Sequence, residues 1–209
     1  MVGPYGKSSP LPGRAADILT FWFGDDPTLP VTPERRRLWF GGAPEIDREI
    51  TSRFADDLQQ ASAGNYSGWS QTSRSALALL LLFDQFPRNI YRGSGEAYSY
   101  DPGARKICLD GLSTGSDTEL DILERAFFYL PLEHSEDLAL QDRSVALYQK
   151  LLDEAPDEHA ETCRGFLDYA LRHREIIERF GHFPHRNQAL GRPSTREEDA
   201  FLTQPGSSF

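Results

Sequence analysis

Three short strings in this 209-residue chain hold the residue types that proton transfer and anion binding use. The first is Phe83-Asp84-Gln85-Phe86-Pro87-Arg88-Asn89. Asp84 ends a strongly apolar run, where a carboxylate suffers both from lost hydration and from the negative end of the helix dipole unless a cation is near. Arg88 is one candidate cation. Arg186 is the other, from the second string, Phe180-Gly181-His182-Phe183-Pro184-His185-Arg186-Asn187, which echoes the first with one residue inserted. In each string a proline stiffens the chain, a phenylalanine anchors it, and Arg and Asn offer planar donors suited to carboxylate or phosphate. The third string is Leu130-Pro131-Leu132-Glu133-His134-Ser135-Glu136. An imidazole changes charge near neutral pH, so His134 is the candidate proton carrier, a general base that some carboxylate would orient, and Asp84 and Glu136 are the further candidate catalytic residues. Each feature also has a purely structural reading. An Asp–Arg pair pins a helix exit, Asn satisfies stray backbone groups in a turn, and a core histidine is held by hydrogen bonds. Ser135 and Glu136 fit the cap and first turn of a following helix.

Other chemistries lack their spacing. No Glu-x-x-His occurs, His182 and His185 form a loop pair without further ligands nearby, and Cys108 and Cys163 belong to no metal spacing, so no metal is expected. The chain has no Gly-x-Ser-x-Gly elbow, P-loop or dinucleotide fingerprint, and no cofactor is expected.

The elements that must position these strings read as helices throughout. Ala15 to Phe23 forms a short helix closed by Gly24, and Thr32-Pro33 starts a second that breaks at Gly41-Gly42. Ile46, Ile50, Phe54, Leu58 and Ala61 recur at steps of three or four from Pro44 to Ala63. Ser70 to Phe86 is apolar on every side, which marks a helix surrounded by others, and Pro87 is expected to end it. Further helices are expected from Asp101 to Leu112, from Ser116 to Tyr129 with Pro131 as the stop, from Ser135 to Leu152, and from Asp157 to Phe180. Ser194-Thr195-Arg196-Glu197 reads as a capping box for a last short helix to Leu202. No sustained period-two segment occurs. The expectation is an all-α fold: a single domain of about eight helices in antiparallel pairs over residues 14–203, with flexible ends at 1–13 and 204–209.

Composition narrows the partners. The formal net charge is −10, and short basic clusters such as Arg35-Arg36-Arg37 alternate with acidic neighbours, so nucleic acid is not expected. The N-terminal residues contain no apolar core of a secretory signal, and the longest apolar run, Ala76 to Phe83, is far shorter than the roughly 20 residues a membrane span needs. With two cysteines that read as buried thiols, a cytoplasmic chain without a membrane partner is expected.

Together with Ile18-Leu19-Thr20-Phe21-Trp22-Phe23-Gly24, these strings resemble a bacterial family of helical proteins, domain of unknown function 924, over about Asp17 to Leu190. The resemblance implies a tetratricopeptide-like superhelix of paired helices and no established activity. It singles out Asp84, Arg88, Asn89, His134, Ser135, Glu136, His185, Arg186 and Asn187, with Trp22 and Trp39 as aromatic walls. The chain departs from the family pattern at His182, where Arg is expected, and at Glu133, where an apolar residue is expected.

The functional expectation is a polar pocket at one end of the helix stack that holds a small anionic or zwitterionic metabolite, with hydrolase-like chemistry through His134 if the ligand turns over. The alternative is a peptide-binding scaffold in which the motifs are corner locks. The oligomeric state is not legible.

Overall fold

The computed structural model describes residues 11–207. Among them no strand occurs, and eleven α-helical segments follow one another: α1 Gly13–Phe23, α2 Pro33–Phe40, α3 Pro44–Ser62, α4 Ser73–Asp84, α5 Phe86–Ile90, α6 Asp101–Thr114, α7 Ile122–Glu133, α8 Leu138–Glu154, α9 Asp157–Phe180, α10 Asn187–Leu190 and α11 Arg196–Leu202. Four 3-10 turns, at Ser67–Gln71, Gly95–Tyr98, Ser116–Glu119 and Pro184–Arg186, join them. The count exceeds the expected eight because the chain re-forms helix directly after each proline-containing corner. Residues 1–10 of the expected flexible start, and 208–209 of the end, lie outside the described residues. Gly13 itself already belongs to α1.

Local chemistry explains most boundaries. Thr32 accepts a hydrogen bond from the Arg35 amide, and Pro33 takes the first helical position of α2, where a missing N–H costs nothing. Gly24 and Gly181 close α1 and α9 with φ of 91° and 73°, a region that residues with a Cβ rarely adopt. Four expectations change. Pro87 does not end the helical path but sits in the first turn of α5, and Pro131 lies inside α7, whose backbone continues to Glu133 and closes with the His134 amide on the Leu130 carbonyl. A proline so near a helix end removes a single hydrogen bond, and the burial of every α7 residue from Leu123 to Glu133 outweighs it. Ser135 is not the cap of α8. Asp137 is, accepting from the amides of Ala139 and Leu140. The last capping box pairs Thr195 with Glu198, one residue later than expected.

The core forms around α4 and α7. Leu77 and the run Leu79 to Leu82 are buried on all sides of α4, which packs on α1, α3, α6 and α7. Phe127 of α7 makes edge-on ring contacts with Trp22, Phe23, Trp39 and Phe166. The α8–α9 link is two residues long, so these helices run antiparallel and share the most extensive helix contact in the chain. The two faces meet through stacked Tyr148 and Phe166. Both cysteines are buried thiols, and no described helix is long and apolar enough to cross a membrane.

Gly111 lets α6 approach α7. A Cβ at that position would lie 2.5 Å from Cζ of Phe128, whose ring is fully buried. Gly111→Ala should therefore lower stability by about 1–3 kcal/mol in urea unfolding, despite alanine's better helix propensity. An unchanged or higher midpoint would show that the two helices have slack.

Candidate functional site

The C-terminal end of α4 delivers Asp84, with no exposed surface, to the last turn of α7, and there it meets His134. The Asp84 Oδ1 to His134 Nδ1 distance is 2.8 Å, and the Gln85 amide donates to the other carboxylate oxygen at 2.6 Å. Burial alone would raise the Asp84 pKa. The charge and hydrogen bond of His134, the charge of Arg88 and the Gln85 amide outweigh it, so the carboxyl titrates below its usual range. The His134 side chain is 17% exposed. Its Nε2 makes no hydrogen bond to any described residue and is open to water. A carboxylate thus holds one imidazole nitrogen while the other faces outward.

The expected Asp84–Arg pair does not form. Arg88 instead donates both terminal nitrogens: Nη2 to the two oxygens of Asp101, at 2.7 and 2.9 Å, and Nη1 to the Ala97 carbonyl. Arg186 donates Nη1 to the His134 carbonyl at 3.0 Å and lies 3.8 Å from the same Asp101. The two arginines of the echoed strings therefore converge on one carboxylate. They also converge on one ring, their guanidinium carbons 4.5 and 4.8 Å from the centre of Tyr98. Burial raises the Asp101 pKa, opposed by the two arginines and by His134. Asp101 and Tyr98 were not singled out from the sequence, although Asp101 was legible as a helix start.

A second imidazole–carboxylate pair lies behind the first. His173 of α9 stands 6.1 Å from His134, ring centre to ring centre, and its Nδ1 is 2.8 Å from the Tyr169 carbonyl and 3.2 Å from Glu133 Oε1. Burial pushes the Glu133 carboxyl well up, helped by the charge of Asp84, and pushes His173 well down, helped by His134. Both shifts describe a pair without charge, the proton staying on the carboxyl group. The unusual Glu133 is thus answered by His173, which was not among the residues singled out from the sequence. The other departure, His182, pairs with Glu198 of α11 at 2.6 Å.

The remaining expected residues do structural work. Glu136 forms a two-pronged ion pair with Arg192 and accepts from the Phe183 amide, so it ties the α7–α8 link to the C-terminal corner and does not orient His134. Ser135 is buried and meets Arg105 at 3.4 Å. Asn89 binds Asp47 of α3 alongside Arg92, and Asn187 binds Ser194. His185 packs beside Phe183 in the same corner as Arg186. Trp22 and Trp39 belong to the aromatic core with Phe127, the Trp39 Nε1 donating to the Trp22 carbonyl. Neither makes a ring contact or hydrogen bond with His134, Arg88 or Arg186. Among the described residues no cluster of three or more His, Cys, Asp or Glu has the arrangement of a metal site.

Burial and then the charges of Arg186 and Arg88 lower the His185 pKa to about 4. Its unfolded value is near 6.5, so between those values the unfolded chain binds more protons and stability falls on acidification. From pH 7 to pH 5 this group should cost about 2 kcal/mol in urea unfolding, and His185→Gln should lose correspondingly less. Equal losses in the two proteins would remove His185 from the acid response.

The chain is 38% identical to a solved Agrobacterium tumefaciens structure, "Protein of Unknown Function ATU0120", covering 90% of this chain and 96% of that one with a TM-score of 0.77. No curated protein matches the chain significantly. The family described as "Bacterial protein of unknown function (DUF924)" matches residues 18–206, a span that contains every residue of the Asp84, His134 and Arg186 corner, and the chain belongs to that family.

Proposed function

We propose that the corner between α4, α7 and the Pro184–Arg186 turn binds a small anionic or zwitterionic metabolite, and that His134 transfers a proton on it. One observation carries this reading: the buried Asp84 holds Nδ1 of His134 while Nε2 faces water. A carboxylate that accepts the Nδ1 proton leaves the lone pair on Nε2, which is the arrangement a general base requires. A bound water or ligand hydroxyl at Nε2 would give up its proton there, and Asp84 would stabilise the imidazolium so formed. Hydrolysis is the reaction class this suits best, with Arg186 next to the developing negative charge. Arg88 has a lesser role than its residue type suggests, because Asp101 and the Ala97 carbonyl already take its donors.

The helix arrangement that frames this site we read as tetratricopeptide-like, from the antiparallel α8–α9 pair with its two-residue link and the packing of α7 on α8. In such a stack, residues at the helix ends from distant parts of the chain come together at one edge. Asn89, Asn187 and Glu136 then act as the corner locks of the alternative reading. They support the site without touching a ligand.

A thermal-shift screen of small carboxylic acids and zwitterions tests the proposal. A ligand present at a hundred times its dissociation constant should add about 2.7 kcal/mol to the stability of the wild-type chain. His134→Gln should abolish turnover of any ester or amide the protein hydrolyses. A broad library without a stabilising compound would contradict the metabolite reading.

A further inference from the structure

Arg186 is held more tightly than a surface anion binder would be. Its guanidinium carbon lies 4.3 Å from the ring centre of Phe183 and 4.8 Å from that of Tyr98, and Nη1 is tied to the His134 carbonyl. The side chain is only 7% exposed. Two donors remain. Nε is buried and has no hydrogen-bond partner among the described residues, and Nη2 donates to none of them but is reached by water. Nε and Nη2 form one edge of the guanidinium, two nearly parallel N–H bonds at the spacing of carboxylate oxygens. A buried donor left without an acceptor costs about 1–3 kcal/mol, which makes an unanswered edge on a clamped arginine an uncommon arrangement.

Charge counting around this edge selects among anions. Asp84 is answered by His134, Glu136 by Arg192, and Asp101 by the two-pronged contact with Arg88. The one ionic contact of Arg186 is 3.8 Å from an Asp101 that Arg88 already binds. With His134 uncharged, as a proton acceptor must be, Asp84 and Asp101 balance Arg88 and Arg186, so the single charge of a monoanion is opposed less than the two charges of a dianion. Burial, then the charge of Arg88, lowers the Arg186 pKa only to about 10, so the group is charged at neutral pH.

We propose that the Nε–Nη2 edge of Arg186 is the receptor for a ligand monocarboxylate, which it holds beside His134. The proposal rests on the small-anion reading given under Proposed function and names its substrate class. Arg186 supplies both hydrogen bonds, and the His134 imidazole meets the group next to the carboxylate. Nη2 is the donor that water reaches, so a carboxylate meets it first and engages the buried Nε beside it second. Asp101 is the internal competitor, since it lies 3.8 Å from the same guanidinium.

Nitrogen-15 NMR of the wild-type chain reads this edge directly, with the Arg186 Nε–H signal assigned by its disappearance in Arg186→Lys. Sodium acetate should shift that signal saturably, whereas sodium chloride at the same ionic strength should not, and inorganic phosphate should bind more weakly than acetate. Arg186→Lys keeps the charge but loses the fork, so acetate affinity measured at the His134 ring signals should fall about tenfold, the equivalent of about 1.4 kcal/mol. A signal that ignores acetate, or one that prefers phosphate, overturns the assignment. A metabolite that stabilises wild type and Arg186→Lys equally, but fails with His134→Gln, would leave the metabolite site standing and remove Arg186 as its carboxylate receptor.

Discussion

A fully buried carboxylate at the negative end of the most apolar helix is the constraint around which this corner is built. Asp84 cannot be hydrated where it sits, and the α4 dipole opposes its charge. It is held ionised by His134 at 2.8 Å, by the Gln85 amide, and by the nearby charge of Arg88. That requirement fixes where the end of α7 must lie relative to the end of α4, since a shift of a single helical residue would carry His134 out of reach. Removing the imidazole would leave an uncompensated charge in the core. The same contact that stabilises the helix crossing therefore also orients a nitrogen toward water.

Around this pair the charges are arranged in layers. Behind His134, Glu133 and His173 are uncharged, because two ionised groups so far from water would cost more than their attraction returns. In front, Arg88 and Arg186 share Asp101 and the Tyr98 ring, with Arg186 the less neutralised of the two. Farther out, Glu136–Arg192 ties the α7–α8 link to the C-terminal corner, and Asp47–Arg92 ties α3 to the chain just after α5. The order runs from an uncharged pair in the interior to an arginine with an unanswered donor edge at the rim.

Much of the architecture was legible in the sequence, because local chemistry decides it. The α2 start at Thr32-Pro33, the glycine close of α1, and the all-round apolar character of α4 each follow from one short segment. The misread boundaries share a cause: tertiary burial overrode a local signal. Pro131 stays inside α7 because that helix is covered on all sides, and Ser135 loses the cap of α8 to Asp137 because its hydroxyl turns toward Arg105. The site was half legible. His134, Asp84 and Arg186 stood out as polar groups beside apolar runs. Their pairing did not, because an acidic residue reveals its cost from its own segment, whereas its partner comes from fifty residues away. Asp101, Tyr98 and His173 escaped notice for the same reason. His173 did leave a trace, falling in register with Phe166, Ala170 and Ile177 on the buried face of α9.

The tautomer of His134 decides between an imidazole poised as a base and one merely packed in a corner. Long-range nitrogen–proton NMR of the ring, at a pH that keeps it uncharged, reports which nitrogen carries the hydrogen. A proton on Nδ1, hydrogen-bonded to Asp84, with a bare Nε2 toward solvent is the result this account predicts. A proton on Nε2, or an Nδ1 without a hydrogen bond, would contradict it.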